Sequence, residues 1–350
     1  MSDISIRITG RAGHITLQRP EALNAMTYDM CTAIETALDT WAENPNVDLV
    51  ILDAEGPRAF CAGGDIAELY DTGTRGDYGF GQKFWADEYR LNAKIFTYAK
   101  PVVSFLQGFT MGGGVGLGCH GTHRIVGDTS QIAMPECTIG LVPDVGGSLM
   151  LALAPGFLGE YLGVTGARMG PADAIYAGFA DIYAPEARWP DLIDALQSTG
   201  QTDVLDQARM TPPSGTLEDA QADIDRSFAG QFLADTLRLL NADPGPFAAK
   251  ALAKMQQNSP LSMACTLEMV HRLRRLDTTL SIEKALELEY RFTFRAMEHG
   301  DLLEGIRAQI IDKDRTPQWQ YHNVDVPAIA ISKMLAPLGK NTLRLGGADA

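Results

Sequence analysis

Two short runs, 49–52 (LVIL) and 102–106 (VVSFL), constrain this chain more than any other feature, because neither alternates apolar with polar residues. A strand with one wet face shows a period of two, so the 49–52 run predicts a strand covered on both faces. The neighbouring segments agree. Thr27 is a predicted N-cap ahead of Met30, Ile34, Leu38 and Trp41, which recur at helical spacing until Asn44-Pro45. A second helical stretch, 82–98, precedes the run at 102–106, and Arg124-Ile125-Val126 follows Gly-rich backbone. The order strand, helix, strand predicts an α/β core with right-handed crossovers. At the N-terminus, 4–9 (ISIRIT) and 14–18 (HITLQ) alternate around Gly10 to Gly13 and predict a β-hairpin.

After about Ala184 the pattern changes to long helix-compatible segments at 217–240, 262–275 and 281–299. Residues 1–190 are therefore read as the core that carries the chemistry, and 191–350 as a predominantly helical C-terminal region. Pro212-Pro213 and Pro244-Gly245-Pro246 are candidate linkers inside that region.

A net charge of −15 disfavours a nucleic-acid backbone or an anionic membrane as partner, while a small anionic ligand can still be held by local cations and helix starts. The five cysteines lack CxxC spacing, so neither a disulfide framework nor a zinc site is expected, and a reducing cytoplasm suits them. The start MSDISIRITG has no basic segment followed by an apolar run, and no stretch approaches the roughly 18 apolar residues of a membrane span.

Two segments expose backbone in the manner of an anion site, 62–66 (AGGDI) and 111–116 (MGGGVG). One N–H from each would form an oxyanion hole for a carbonyl that gains negative charge in its transition state. The plainer alternative is two tight turns. A dinucleotide site is the other alternative, since 116–121 matches GxGxxG, but no acidic residue stands about 20 positions on at a second strand.

The segment 134–147 (MPECTIGLVPDVGG) sets Glu136 and Asp144 among apolar residues and glycines. A carboxylate that loses water must be paired, protonated or put to use. Taken alone, Glu136 reads as a solvated loop acid and Asp144 as an N-cap for the helical run 148–153. Asp65 reads as the cap of a helix from Ile66. His120 and His123 lack a third metal ligand, and Cys61 and Cys137 lack an adjacent base, so all four read as structural.

In combination these motifs carry a resemblance. Asn24-Ala25-Met26, 60–66 (FCAGGDI), 112–117 (GGGVGL), Met134-Pro135-Glu136 and 143–147 (PDVGG) resemble the enoyl-CoA hydratase/isomerase (crotonase) superfamily. The tail segments Glu289-Tyr290-Arg291, 304–308 (EGIRA) and 311–319 (IDKDRTPQW) are similar to its 3-hydroxyisobutyryl-CoA hydrolase subfamily, with 185–255 the weakest match. The resemblance implies a crotonase-like spiral of ββα units in two near-perpendicular sheets, followed by a C-terminal helical extension covering the site. It implies an acyl-CoA substrate hydrolysed by water, with neither metal nor redox cofactor, in valine-type catabolism. The backbone N–H groups of Gly64 and Gly113 match the oxyanion hole, Glu136 and Asp144 match the catalytic and substrate-contacting acids, and Glu88, rather than Asp87, matches a substrate-binding glutamate. Arg19-Pro20, Leu23 and Ala25 resemble the adenine-side edge. Core members commonly form trimers or hexamers, so a homo-oligomer is one option, with contacts that the C-terminal extension can alter. Gly116 stands where the hydratases carry a second glutamate, which counts against enoyl-CoA hydration or isomerisation; a catalytically silent CoA-binding protein is the remaining alternative.

Overall fold

Strands β1 (Ile4–Thr9) and β2 (Ala12–Leu17) form the expected antiparallel hairpin, with Thr9 opposite Ala12. The structure is a computed structural model and describes residues 3–322 and 326–346. Residues 323–325 and 347–350 of the C-terminal region 191–350 therefore lie outside it.

From β2 the sheet grows by parallel pairing alone, through β3 (Leu49–Ala54) to three more strands later in the chain. Between successive members of this sheet the chain inserts a short strand of a second one. It runs β3, then β4 (Ala59–Cys61), β5 (Val102–Phe105), β6 (Phe109–Met111), β7 (His123–Val126), β8 (Gln131–Ala133) and β9 (Ile182–Tyr183). Odd-numbered strands from β3 extend the six-stranded sheet β1-β2-β3-β5-β7-β9, and the even ones form the parallel sheet β4-β6-β8. This is the mixed α/β spiral of ββα turns that the resemblance implies.

The apolar runs do what their composition dictates. All four side chains of 49–52 are buried, and Leu49, Ile51, Val103, Phe105 and Ile125 pack with Trp189, Leu192 and Leu196 of the helix Trp189–Thr199 in one core. Thr27 caps the helix Tyr28–Ala42, its hydroxyl accepting from Met30 N–H at 3.2 Å.

Two local expectations change. The 217–240 segment divides into helices Leu217–Phe228 and Leu233–Ala242, interrupted where Gly230 weakens the helix and Phe232 N–H donates to Asp235 as the new turn starts. Asp65 does not cap a helix. Its carboxylate takes the Arg19 guanidinium at 3.1 Å, and the helix Ala67–Thr74 begins after Ile66 without a side-chain cap.

The chain packs as two compact units, one of residues 1–65, 91–133 and 168–218, the other of 66–90, 134–167 and 219–350. Both sheets belong to the first unit. No helix among the described residues is long and apolar enough to cross a membrane.

Candidate active site

In the first unit β4 and β6 run parallel, with Cys61 beside Thr110, so the glycine segments leaving them start from adjacent strands. Met26 N–H donates to Gly63 O and Asp65 N–H to Met26 O, each at 2.9 Å, which engages the peptides on either side of Gly64. After β6, the helix Gly113–Gly118 opens with Val115 and Gly116 N–H donating to Gly112 O at 2.8 and 3.3 Å. Among the described residues no protein acceptor takes the N–H of Gly64 or Gly113. Gly114 is required by close approach, because a methyl there would overlap the backbone oxygen of Cys61.

Asn24 braces the same region. Its Nδ2 donates to Glu55 O and Ala59 O, each at 2.9 Å, and its Oδ1 accepts Arg19 N–H at 2.8 Å. Arg19 in turn donates to Ala25 O at 2.7 Å and pairs with Asp65, so this guanidinium is already occupied by protein.

The second unit gathers acids. Glu88, Glu136, Asp144 and Glu289 are 3%, 5%, 4% and 0% exposed. Glu136 sits in the short turn Glu136–Ile139 that follows Pro135, where Thr138 N–H and Oγ1 both donate to Pro135 O, at 2.9 and 2.6 Å. Neither carboxyl oxygen of Glu136 bonds another residue among the described ones. Burial first, then the charge of Asp144, push its proton affinity well above the usual carboxylate range. Burial and Asp144 act on Glu88 in the same direction. Asp87, by contrast, pairs with Lys83 and Arg90 at 2.6 and 2.8 Å, on the wetter side of the same helix.

Asp144 is not the N-cap its local sequence suggests. Its Oδ2 accepts from the buried Tyr89 hydroxyl at 2.7 Å, and the helix Gly147–Leu153 has Gly146 at its N-cap position with no local side-chain bond. Burial lifts Asp144 to about 7, opposed by the Tyr89 bond. The helix start is capped instead by Glu289, which accepts Gly146 N–H at 2.8 Å, Ser148 N–H at 3.0 Å and the Ser148 hydroxyl. Burial raises Glu289 to about 8 despite these donors, of which Ser148 opposes it most. Gly147 N–H donates to Asp144 O at 2.7 Å, closing a turn whose central residues, Val145 at φ +54° and Gly146 at +80°, are both left-handed. Glycine adopts this conformation freely; a β-branched valine does not, and such strain costs of order 1–3 kcal/mol.

The remaining candidates have other partners. The His120 ring meets Phe96 edge-on at 5.9 Å, and His123 Nδ1 lies 2.9 Å from Thr122 Oγ1. Cys61 Sγ donates to Gly63 O at 3.4 Å. Cys137 Sγ donates to Gly163 O at 3.4 Å, and burial pushes its thiol up to about 12, far from a reactive thiolate at neutral pH.

The sequence profile described as Enoyl-CoA hydratase/isomerase matches residues 12–335. The chain belongs to the enoyl-CoA hydratase/isomerase family. A solved structure described as an enoyl-CoA hydratase from Rhodobacter sphaeroides 2.4.1 is 55% identical, covers 98% of this chain and 100% of its own, and superposes with a TM-score of 0.93. A carnitinyl-CoA dehydratase from Mycobacterium thermoresistibile is 37% identical with the same TM-score of 0.93, covering 99% of this chain and 100% of its own. The protein named 3-hydroxyisobutyryl-CoA hydrolase, mitochondrial, from Gallus gallus is 34% identical over 356 residues, 98% of this chain and 91% of that protein.

Within this family member, sequence reasoning passed over Tyr89 and assigned Glu289 no role, although one signal was available for the latter. Along the helix Ile282–His299, positions 282, 285, 286, 292, 293 and 296 form the buried stripe, and Glu289 lies in its middle. An acid at the centre of an apolar stripe is buried by its neighbours and must find donors.

Proposed function

We propose that this chain hydrolyses short 3-hydroxyacyl-CoA thioesters, with 3-hydroxyisobutyryl-CoA, converted to 3-hydroxyisobutyrate and CoA, as the favoured substrate. Glu136 carries the reading: a buried acid, beside a second one, with no other residue bonded to its oxygens among those described. Such a group is expensive to keep unless a reactant completes it. The substrate class is supported by the hydrolase from Gallus gallus and by the Xenopus tropicalis protein of the same name, 36% identical over 349 residues.

In this reading the N–H groups of Gly64 and Gly113 receive the thioester oxygen as it becomes an oxyanion. Ionised Glu136 takes a proton from water as the water oxygen bonds the carbonyl carbon. The C–S bond then breaks, and the proton passes from Glu136 to the departing thiolate. The covalent variant balances equally well: a Glu136 oxygen displaces CoA thiolate to give an anhydride, which water opens. Asp144 and Glu88 are assigned the 3-hydroxyl and the water. A reducing aqueous compartment is the proposed setting, since all five cysteines are buried and none is held in a disulfide.

The hydratase descriptions of the solved neighbours favour a second reading, addition of water across an enoyl-CoA double bond. Gly116, where the hydratases carry a glutamate, opposes it by removing the second acid. Thiol release from a panel of short acyl-CoAs, followed with a thiol-trapping dye, decides between them. The expected result is turnover of the 3-hydroxyacyl thioester that falls about 100-fold or more in Glu136→Gln. Hydration of crotonyl-CoA without thiol release, or an undiminished variant, refutes the assignment.

A further inference from the structure

We propose that Glu289 is a positioning residue for this reaction: its carboxylate clamps the 144–148 turn and thereby holds Asp144 against Tyr89. The inference rests on the hydrolase reading for its kinetic form, though not for its structural one. Three donors converge on the acid, the backbone N–H groups of Gly146 and Ser148 and the Ser148 hydroxyl, and all three belong to the segment immediately following Asp144. The turn they brace holds a valine in the left-handed region, a conformation that persists only where surrounding structure enforces it.

The same helical turn holds the other half of the pair. Tyr290 meets the Tyr89 ring edge-on at 6.1 Å, and Thr293 Oγ1 lies 3.4 Å from the Tyr89 hydroxyl. One stretch of helix, 289–293, thus fixes both the backbone that carries Asp144 and the phenol that bonds it. Only the ionised carboxylate, the form held above about pH 8, accepts from all three donors without loss; a glutamine fills the same volume, but one end of it presents N–H groups to N–H donors at every pH.

The test is a mutant cycle on the full chain, measuring CoA release from 3-hydroxyisobutyryl-CoA by wild type, Glu289→Gln, Asp144→Asn and the double variant. If Glu289 works through Asp144, Glu289→Gln lowers kcat roughly tenfold or more with KM within about threefold, yet costs under about threefold in the Asp144→Asn background. An equal loss on both backgrounds, or no loss, overturns the proposal. Should Glu289→Gln fail to fold, Ser148→Ala removes one of the donors and carries the same cycle. A crystal structure of Glu289→Gln gives a readout independent of substrate. The Tyr89 to Asp144 bond is expected to open beyond hydrogen-bond range, whereas an unchanged turn overturns the clamp even if the wild type proves inert toward every thioester, a result that would sink only the hydrolase reading.

Discussion

Replacing Tyr89 by Phe isolates one hydrogen bond in the acid cluster. The ring keeps its volume and its edge contact with Tyr290, so no cavity opens, and the loss is confined to the hydroxyl that donates to Asp144 at 2.7 Å and lies 3.4 Å from Thr293. A hydrogen bond to an ionised group contributes about 1.5–3 kcal/mol, and this one is buried and short. Taking about 2 kcal/mol at 1.4 kcal/mol per decade, kcat/KM should fall about thirtyfold if the reaction uses ionised Asp144. The pH dependence has a fixed sign. The Tyr89 bond opposes the burial that holds Asp144 near 7, so its removal lets the carboxyl keep its proton to higher pH. The acid limb of the kcat/KM profile should therefore move upward, making the deficit largest at low pH. Initial rates of thiol release between pH 5.5 and 9 on both proteins, with melting curves to verify folding, measure both effects. A folded Tyr89→Phe protein within twofold of wild type, with its acid limb unmoved, would refute the reasoning.

Stability should respond to Asp144 in the opposite sense to an ordinary paired acid. Its carboxyl is raised from 3.8 to about 7, so the folded chain binds this proton more tightly than the unfolded one, and the contribution, at most about 4 kcal/mol, is present below pH 4 and lost as pH rises through 7. An amide at this position carries no such proton, so the Tm of Asp144→Asn relative to wild type should grow more favourable from pH 5 to pH 8.5; a difference independent of pH contradicts the burial argument. Gly114→Ala should destabilise by about 3 kcal/mol, the upper end of the usual overpacking range, because its methyl meets the Cys61 backbone rather than a yielding side chain. A urea midpoint equal to that of wild type would show that the strand and helix can part cheaply.

Much of the fold is legible in the sequence because its determinants are local. The 49–52 strand declares its burial by lacking any polar residue, and Thr27 declares its cap by standing three residues before Met30, where the helical stripe begins. Choosing Glu88 over Asp87 follows from the resemblance, and the structure gives the physical counterpart: Glu88 lies on the dry face while Asp87 has two cations. Asp144 misleads for an equally physical reason. Local reasoning sees an acid ahead of a helix and expects a cap, but the cap comes from Glu289, far along the chain, which releases Asp144 to meet Tyr89. No local pattern of residues encodes which of two acids wins the same N–H groups; that is decided by how the Ile282–His299 helix docks.

Three glutamates of the second unit show why burial alone does not single out a reactive acid. Glu160 is fully buried, but the Arg274 guanidinium lies 3.0 Å from its carboxyl and the His271 ring 3.4 Å. Glu289 is as deeply buried and is answered by peptide and hydroxyl donors. Glu136 is buried to nearly the same degree, yet among the described residues no cation and no donor from another residue reaches its oxygens. Desolvation disfavours the ionised form of Glu289 and of Glu136, but only Glu289 recovers part of that cost from hydrogen-bond donors. An acid that recovers none is destabilised in its charged form, and once ionised it therefore gains most by taking a proton from water or bonding a thioester carbon. Set against Glu289, whose oxygens are taken by three donors, Glu136 keeps both of its carboxyl oxygens available to a reactant.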